Sequence, residues 1–222
     1  MNTKHIVVLI GPPGSGKGTQ AGVVSRSLGL QHIAVGHLLR VSARSDGDIG
    51  VQLESGRPLP AACVDARIRE VLDLTRDGWI FDGYPRSLEQ YEQSFLPLLR
   101  YINDASGGCL IRVKIVYLEF PADGLLDLYK RIATRYECCV CGTPFSYKGG
   151  CKEQCGCADL STFAFRMDDD YGMFCKRIQG FNETFAGLAR ALKVDFQEDY
   201  HVVSADQGVM AVSGDVMQCL HF

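Results

Sequence analysis

The sequence is short of several things, and each shortage excludes a class of protein. It has no apolar run near the roughly 18 residues that a membrane-crossing helix needs, so no membrane partner is expected. The apolar run near its start, residues 6–10, is too short for the core of a secretory signal, which points to a cytoplasmic protein. Positive charge is not in excess: 23 Lys and Arg stand against 26 Asp and Glu, a formal net charge of −3. A general nucleic-acid binder would be basic, so no such partner is expected. There is no internal repeat and no low-complexity tract. At 222 residues with 22% charged, the chain can bury a real core, but is short for two large domains.

Cysteine is not scarce, but it is unevenly spread. Six of the 10 cysteines lie between Cys138 and Cys157. A disulfide-built secreted protein would distribute its bridges and carry an export signal, so a local cluster points to metal instead. Cys138 and Cys141 form a Cys-x-x-Cys-Gly knuckle, and Cys151 and Cys155 form Cys-x-x-x-Cys-Gly. Thiolates at such spacings suit a structural, tetrahedral Zn²⁺, with Cys157 able to displace one of the four.

Apolar patterning predicts an α/β protein. Residues 6–10, 79–81, 113–120 and, more weakly, 200–204 read as strands. Helical stretches are predicted at 19–28, 36–45, 62–75, 87–99, 124–133 and 174–192. Strands alternating with helices imply a parallel sheet covered on both faces. Residues 136–165 lack this periodicity and read as a small insert. Met173, Phe174, Phe181 and Phe185 fall at helical spacings and read as core packing.

The segment GPPGSGKGTQ (11–20) leaves the first strand with almost no side chains and one cation. Missing Cβ atoms let the backbone wrap and aim several N–H groups at one anion. The helix that follows adds the partial positive charge of its N-terminus, and Lys17 reaches the same anion. The loop fits the P-loop pattern, with Gly11, Gly16 and Lys17 in place and Gly18-Thr19 as a variant end. It reads as a cradle for a nucleoside triphosphate in a three-layer P-loop NTPase fold.

Five segments together resemble the adenylate kinase family of nucleoside monophosphate kinases: GPPGSGKGTQ (11–20), IAVGHLLR (33–40), WIFDGYPRSLEQ (79–90), LYKRIATRY (128–136) and FRMDDDYGMFCKRI (165–178). The resemblance implies ATP and AMP as substrates, Mg²⁺ with the ATP, and a monomer. It implies a core formed by 1–135 and 166–222, a helical monophosphate-binding segment at 34–75, and a cysteine-rich, zinc-bearing lid at 136–165. By that resemblance, Gly14, Ser15, Gly16, Lys17, Gly18, Thr19, Arg131, Arg135 and Gly208 bind the donor. Val35, Gly36, Arg40, Leu59, Gly83, Arg86 and Gln90 bind the acceptor. Arg166 and Arg177 close on the phosphates, Asp168 and Asp169 fix those arginines, and Asp82 orients water on Mg²⁺. Lys17, Arg86, Arg131, Arg166, Arg177 and Asp82 form the catalytic set, and no general base is needed.

Two stretches depart from the family pattern. Val35-Gly36-His37 stands where the family has Thr-Gly-Asp, and Arg57-Pro58-Leu59-Pro60-Ala61 stands where it has Lys-Leu-Val-Pro-Asp. His37 reads either as an altered acceptor contact or as a hydrogen-bonded loop residue. UMP, CMP or GMP therefore stay open as acceptors beside AMP, as does nucleotide binding without catalysis.

Overall fold

In the computed structural model, residues 3–140, 144–146, 163–165 and 169–221 are described. A sheet of parallel strands forms the middle layer. Its members are β1 (Thr3–Ile10), β2 (Gln31–Ala34), β3 (Gly78–Asp82), β4 (Leu110–Glu119) and β8 (Tyr200–Ser204), in the order β2-β3-β1-β4-β8. β1 lies at the centre, with Val8 opposite Phe81 on one side and Ile115 on the other.

Alternation along β1 divides the core in two, because successive side chains of a strand point to opposite faces. Ile6, Val8 and Ile10 join Trp79, Phe81 and Ile115 on one face. That face is covered by α2 (Val35–Ser42), α4 (Ala61–Val71), α6 (Leu96–Ala105) and α8 (Tyr171–Phe196). Val7 and Leu9 join Ile80, Val116 and Leu118 on the other, under α1 (Lys17–Leu28), α7 (Leu125–Ala133) and α9 (Val209–Cys219). Residues 6–9 are fully buried, which is why the run reads as apolar without alternation.

The helical boundaries differ from the sequence reading where packing decides. The 87–99 stretch is a short α5 (Leu88–Gln90), a π-turn over Tyr91–Phe95, and then α6. The π-turn brings both Tyr91 and Phe95 into the core, with their rings stacked at 6.0 Å. α8 starts three residues earlier than the pattern implies, because Asp170 caps it by accepting from the Met173 amide. β2, α9 and a helix α3 (Gly47–Glu54) had no clear periodic signal. The segment after α7 forms a second sheet of β5 (Arg135–Cys138), β6 (Pro144–Ser146) and β7 (Phe163–Phe165), antiparallel in the order β6-β5-β7.

Gly180 marks where α8 meets the connection between α3 and α4. A Cβ there would sit 2.6 Å from the Gly56 carbonyl oxygen and 3.3 Å from Arg57 Cα, both backbone atoms. Gly180→Ala should therefore destabilise the fold, even though alanine favours helix by about 1 kcal/mol. Overpacking costs about 1–3 kcal/mol, so denaturant unfolding is expected to show a net loss of about 1 kcal/mol.

Candidate active site

β1 ends in the glycine loop, and the backbone there takes conformations that side chains would resist. Gly14 has φ of 87°, and a Cβ on it would lie 2.6 Å from the Leu128 carbonyl oxygen. Gly16, the residue before α1, has φ of 92°. The loop opens onto a cavity of about 560 Å³. The Lys17 ammonium donates to the carbonyls of Gly11 and Pro12, at 2.8 Å each. Burial, and the charges of Arg86, Arg177 and Arg135, lower its pKa to about 7, against an opposing pull from Asp82.

Asp82 ends β3 at the cavity wall. Burial alone would raise its pKa. The hydrogen bond and charge of His32, together with Lys17 and Arg86, outweigh that and hold it below the ordinary carboxylate range. A carboxylate kept ionised beside a phosphate cradle fits water-mediated contact with Mg²⁺, which retains much of its hydration shell.

Across the cavity stand α2 and the turn after β3. A methyl built on Gly36 would lie 3.2 Å from Arg40 Nη1 and 3.2 Å from Arg86 Nη2, so the two guanidinium groups converge above that glycine. A methyl built on Gly83 would lie 3.2 Å from Arg86 Nη2 and 3.5 Å from Lys17 Cε. Gly83 is thus the floor between the lysine of the glycine loop and the arginine pair. Arg86 Nε donates to the Gly83 carbonyl at 2.7 Å.

From the third side, α7 and β5 supply Arg131 and Arg135, and α8 supplies Arg177. Arg131 lies over the Phe120 ring at 4.8 Å and donates to the Ala205 carbonyl at 2.9 Å. Asp169, which is buried, accepts from Arg135 Nε at 2.9 Å and Nη2 at 2.6 Å, and from Arg177 Nη1 at 3.2 Å. One carboxylate therefore orients two cations from different elements. Gly208, before α9, also lines the cavity.

The structure brings together Gly14, Ser15, Gly16, Lys17, Gly18, Thr19, Gly36, Arg40, Asp82, Gly83, Arg86, Arg131, Arg135, Arg177 and Gly208 around one cavity. Val35, Leu59 and Gln90 are buried behind its wall instead. Gln90 Nε2 donates to the Leu59 carbonyl at 2.7 Å, and its Oε1 accepts from the Arg86 amide at 2.9 Å. Phe181 and Phe185, read as core, stack at 4.5 Å and line the cavity. Arg166, Asp168, Cys141, Cys151, Cys155 and Cys157 lie outside the described residues. Cys138 is buried at the end of β5, and among the described residues no cluster able to hold a metal occurs. No helix among them is long and apolar enough to cross a membrane. Sequence reasoning missed His32, which lies 3.6 Å from Asp82, and Glu137, which contacts His37 and Arg40.

A family model described as "Adenylate kinase" matches residues 9–185, a span that contains the glycine loop, the arginine pair and Arg177. The chain belongs to the adenylate kinase family. Curated relatives named "Adenylate kinase" match nearly its whole length. One from Rickettsia bellii (strain RML369-C) is 27% identical over 226 residues, spanning 97% of this chain and 98% of that protein. One from Rickettsia prowazekii (strain Madrid E) is 29% identical over 229 residues, with the same coverage. As an adenylate kinase family member, the chain is a nucleoside monophosphate kinase.

For an adenylate kinase with Lys17 depressed to about 7, nucleotide binding and protonation are linked. A polyphosphate bound against Lys17, as the reading proposed below has it, would restore the charged form, so at pH 8 binding of MgATP should take up close to one proton. Affinity should then fall as pH rises above 7, by up to about tenfold per unit. The ligand-free fold shows the complementary trend. It binds fewer protons than the unfolded chain between pH 7 and the ordinary lysine range, so its stability gains from this group as pH rises through that window. Calorimetry at pH 8 in buffers of different ionisation heat measures the uptake, and none is expected for Lys17→Met.

Proposed function

We propose that this chain transfers the terminal phosphoryl group of MgATP to AMP, giving two ADP. The observation that carries the reading is that Arg86 lies over Gly83 with Lys17 and over Gly36 with Arg40, so the cation of the glycine loop and the arginine pair meet around one space. A phosphate oxygen of AMP attacks the γ-phosphorus, and the bond from that phosphorus to the β–γ bridging oxygen breaks, leaving ADP on each side. The charge spread over the transferred group needs cations and exclusion of water, not a protein base.

In this reading the donor phosphates lie on residues 14–19, with Lys17 at the transferred group and Arg131, Arg135 and Gly208 at the rest of the donor. Arg40 and Arg86 hold the acceptor phosphate above Gly36 and Gly83. Val35, Leu59 and Gln90 shape the acceptor pocket from behind. Arg177 and Arg166 neutralise the group in transit, and Asp82 orients the water shell of Mg²⁺. The cysteine-rich lid is read as a zinc holder through Cys138, Cys141, Cys151 and Cys155, on spacing alone. Its metal content is read by elemental analysis of the purified protein, where one zinc per chain is expected.

A panel of monophosphates with MgATP tests the acceptor. The highest kcat/KM is expected with AMP. Faster turnover with UMP or CMP would replace the acceptor and leave the kinase intact, and hydrolysis of ATP with no transfer to any monophosphate would remove the proposal.

A further inference from the structure

One carboxylate crosses from the small sheet to the opposite wall of the cavity. Glu137, on β5, places Oε1 3.0 Å from His37 Nδ1 and 2.6 Å from Arg40 Nη2 on α2. Nη2 also reaches Oε2. The partners are 97 and 100 residues away in sequence. The Glu137 and His37 side chains are only 10% and 9% exposed, so this is an enclosed cluster and not a surface ion pair. His37 and Arg40 share a helix face at i, i+3. Glu137 follows Arg135 at i+2 on the same strand, and so on the same face of β5.

The division of labour within Arg40 decides what this contact does. Its Nη2 is held by Glu137, while its Nη1 lies above Gly36 beside Arg86 Nη2. The outer nitrogen is anchored and the inner one is aimed into the space between the two guanidinium groups. A guanidinium is planar, so fixing one edge fixes the direction of the other. His37 holds the same carboxylate oxygen from a second direction. The family segment that this chain resembles has Asp where this chain has His37, so the local carboxylate beside Arg40 is gone and one arrives from β5.

We propose that Glu137 is a positioning residue for the acceptor site: it supplies from the lid strand the carboxylate that position 37 lacks, and with His37 it aims Arg40 at the acceptor phosphate. The proposal rests on the reading of Arg40 as an acceptor ligand. It also joins the two substrate sites mechanically, because the strand that carries Arg135 to the donor carries Glu137 to the acceptor arm.

The test is steady-state kinetics in both substrates, with thermal unfolding as a fold check. Glu137→Gln keeps the shape and removes the charge. It is expected to raise KM for AMP about tenfold, the size of a lost charge-assisted hydrogen bond, and to leave KM for ATP within twofold. His37→Asp alone places two carboxylates together and is expected to raise KM for AMP further. The double variant, His37→Asp with Glu137→Gln, returns one carboxylate to the arm and should regain most of the wild-type KM. An unchanged or lower KM for AMP in Glu137→Gln would mean that the carboxylate is idle or competes with the phosphate, and either result overturns the proposal. So would a double variant no better than its worse parent. Failure of the wild-type protein to phosphorylate AMP would instead count against the acceptor reading itself.

Discussion

Lys17→Met is expected to lower kcat about a thousandfold while the protein stays folded. The scale is that of removing a positioned cation or donor from a developing oxyanion, and corresponds to about 4 kcal/mol of barrier. The side chain stands at the mouth of the glycine loop, where it now donates to the Gly11 and Pro12 carbonyls. Those bonds hold the ammonium at the loop, where in the proposed reading a phosphate takes the place of the carbonyls as acceptor. Methionine keeps much of the length and removes the charge, leaving the amides of residues 14–19 to bind phosphate without neutralising it. Little stability should be lost, because the lysine is charged only against the cost of burial, which is what lowers its pKa. Coupled assays at saturating substrates measure the loss, and thermal unfolding should move by only a few degrees. Full activity in this variant would place the reacting phosphate elsewhere.

What was legible in the sequence depended on how local its cause was. β1 could be read because five consecutive apolar residues are buried on both faces of a central strand. β2 could not, because it is four residues long at the sheet edge and begins with Gln31 and His32. Tertiary contacts define it: the Gln31 amide donates to the Val71 carbonyl and accepts from the Asp73 amide. α9 was hidden for a related reason. Its sequence is apolar nearly all round with Ser213 and Gly214 inside it, and it is tied to α1 by Ser213 donating to Gln20. The same division runs through the site. The glycine loop and the cations lie in short segments with fixed spacing, so each could be placed by motif. The carboxylates that aim those cations were legible only when adjacent to a motif, as Asp169 is. Glu137 sits in a segment with no periodic pattern, and its partners are on another element, so only the folded chain brings it to His37 and Arg40. Gln90 shows the converse: its place in the helix was readable, but not that its amide faces the Leu59 carbonyl and the Arg86 amide.

Replacing Arg86 should separate charge from geometry at the acceptor phosphate. Its Nε donates to the Gly83 carbonyl at 2.7 Å, which turns the plane of the guanidinium so that Nη2 stands over Gly36 beside Arg40. One group therefore does two things in two directions: it braces the turn after β3 and, in the proposed reading, faces the acceptor phosphate. Arg86→Ala removes both and is expected to lower kcat/KM for AMP by about 10²–10³, the range for loss of a positioned transition-state donor. Arg86→Lys keeps the charge, but an ammonium on a flexible stem has no second edge. If it bonds to the Gly83 carbonyl, it stops short of the space above Gly36; if it reaches that space, the brace is lost. Arg86→Lys should therefore stay at least about tenfold below wild type in kcat/KM for AMP, with KM for ATP changing far less than KM for AMP. The amide of residue 86 still donates to Gln90 in either variant, so the turn keeps its backbone anchor and unfolding temperatures should stay close to wild type. Full activity in Arg86→Lys would show that position 86 acts by charge alone, and the convergence of the two guanidinium forks above Gly36 would then have no catalytic meaning.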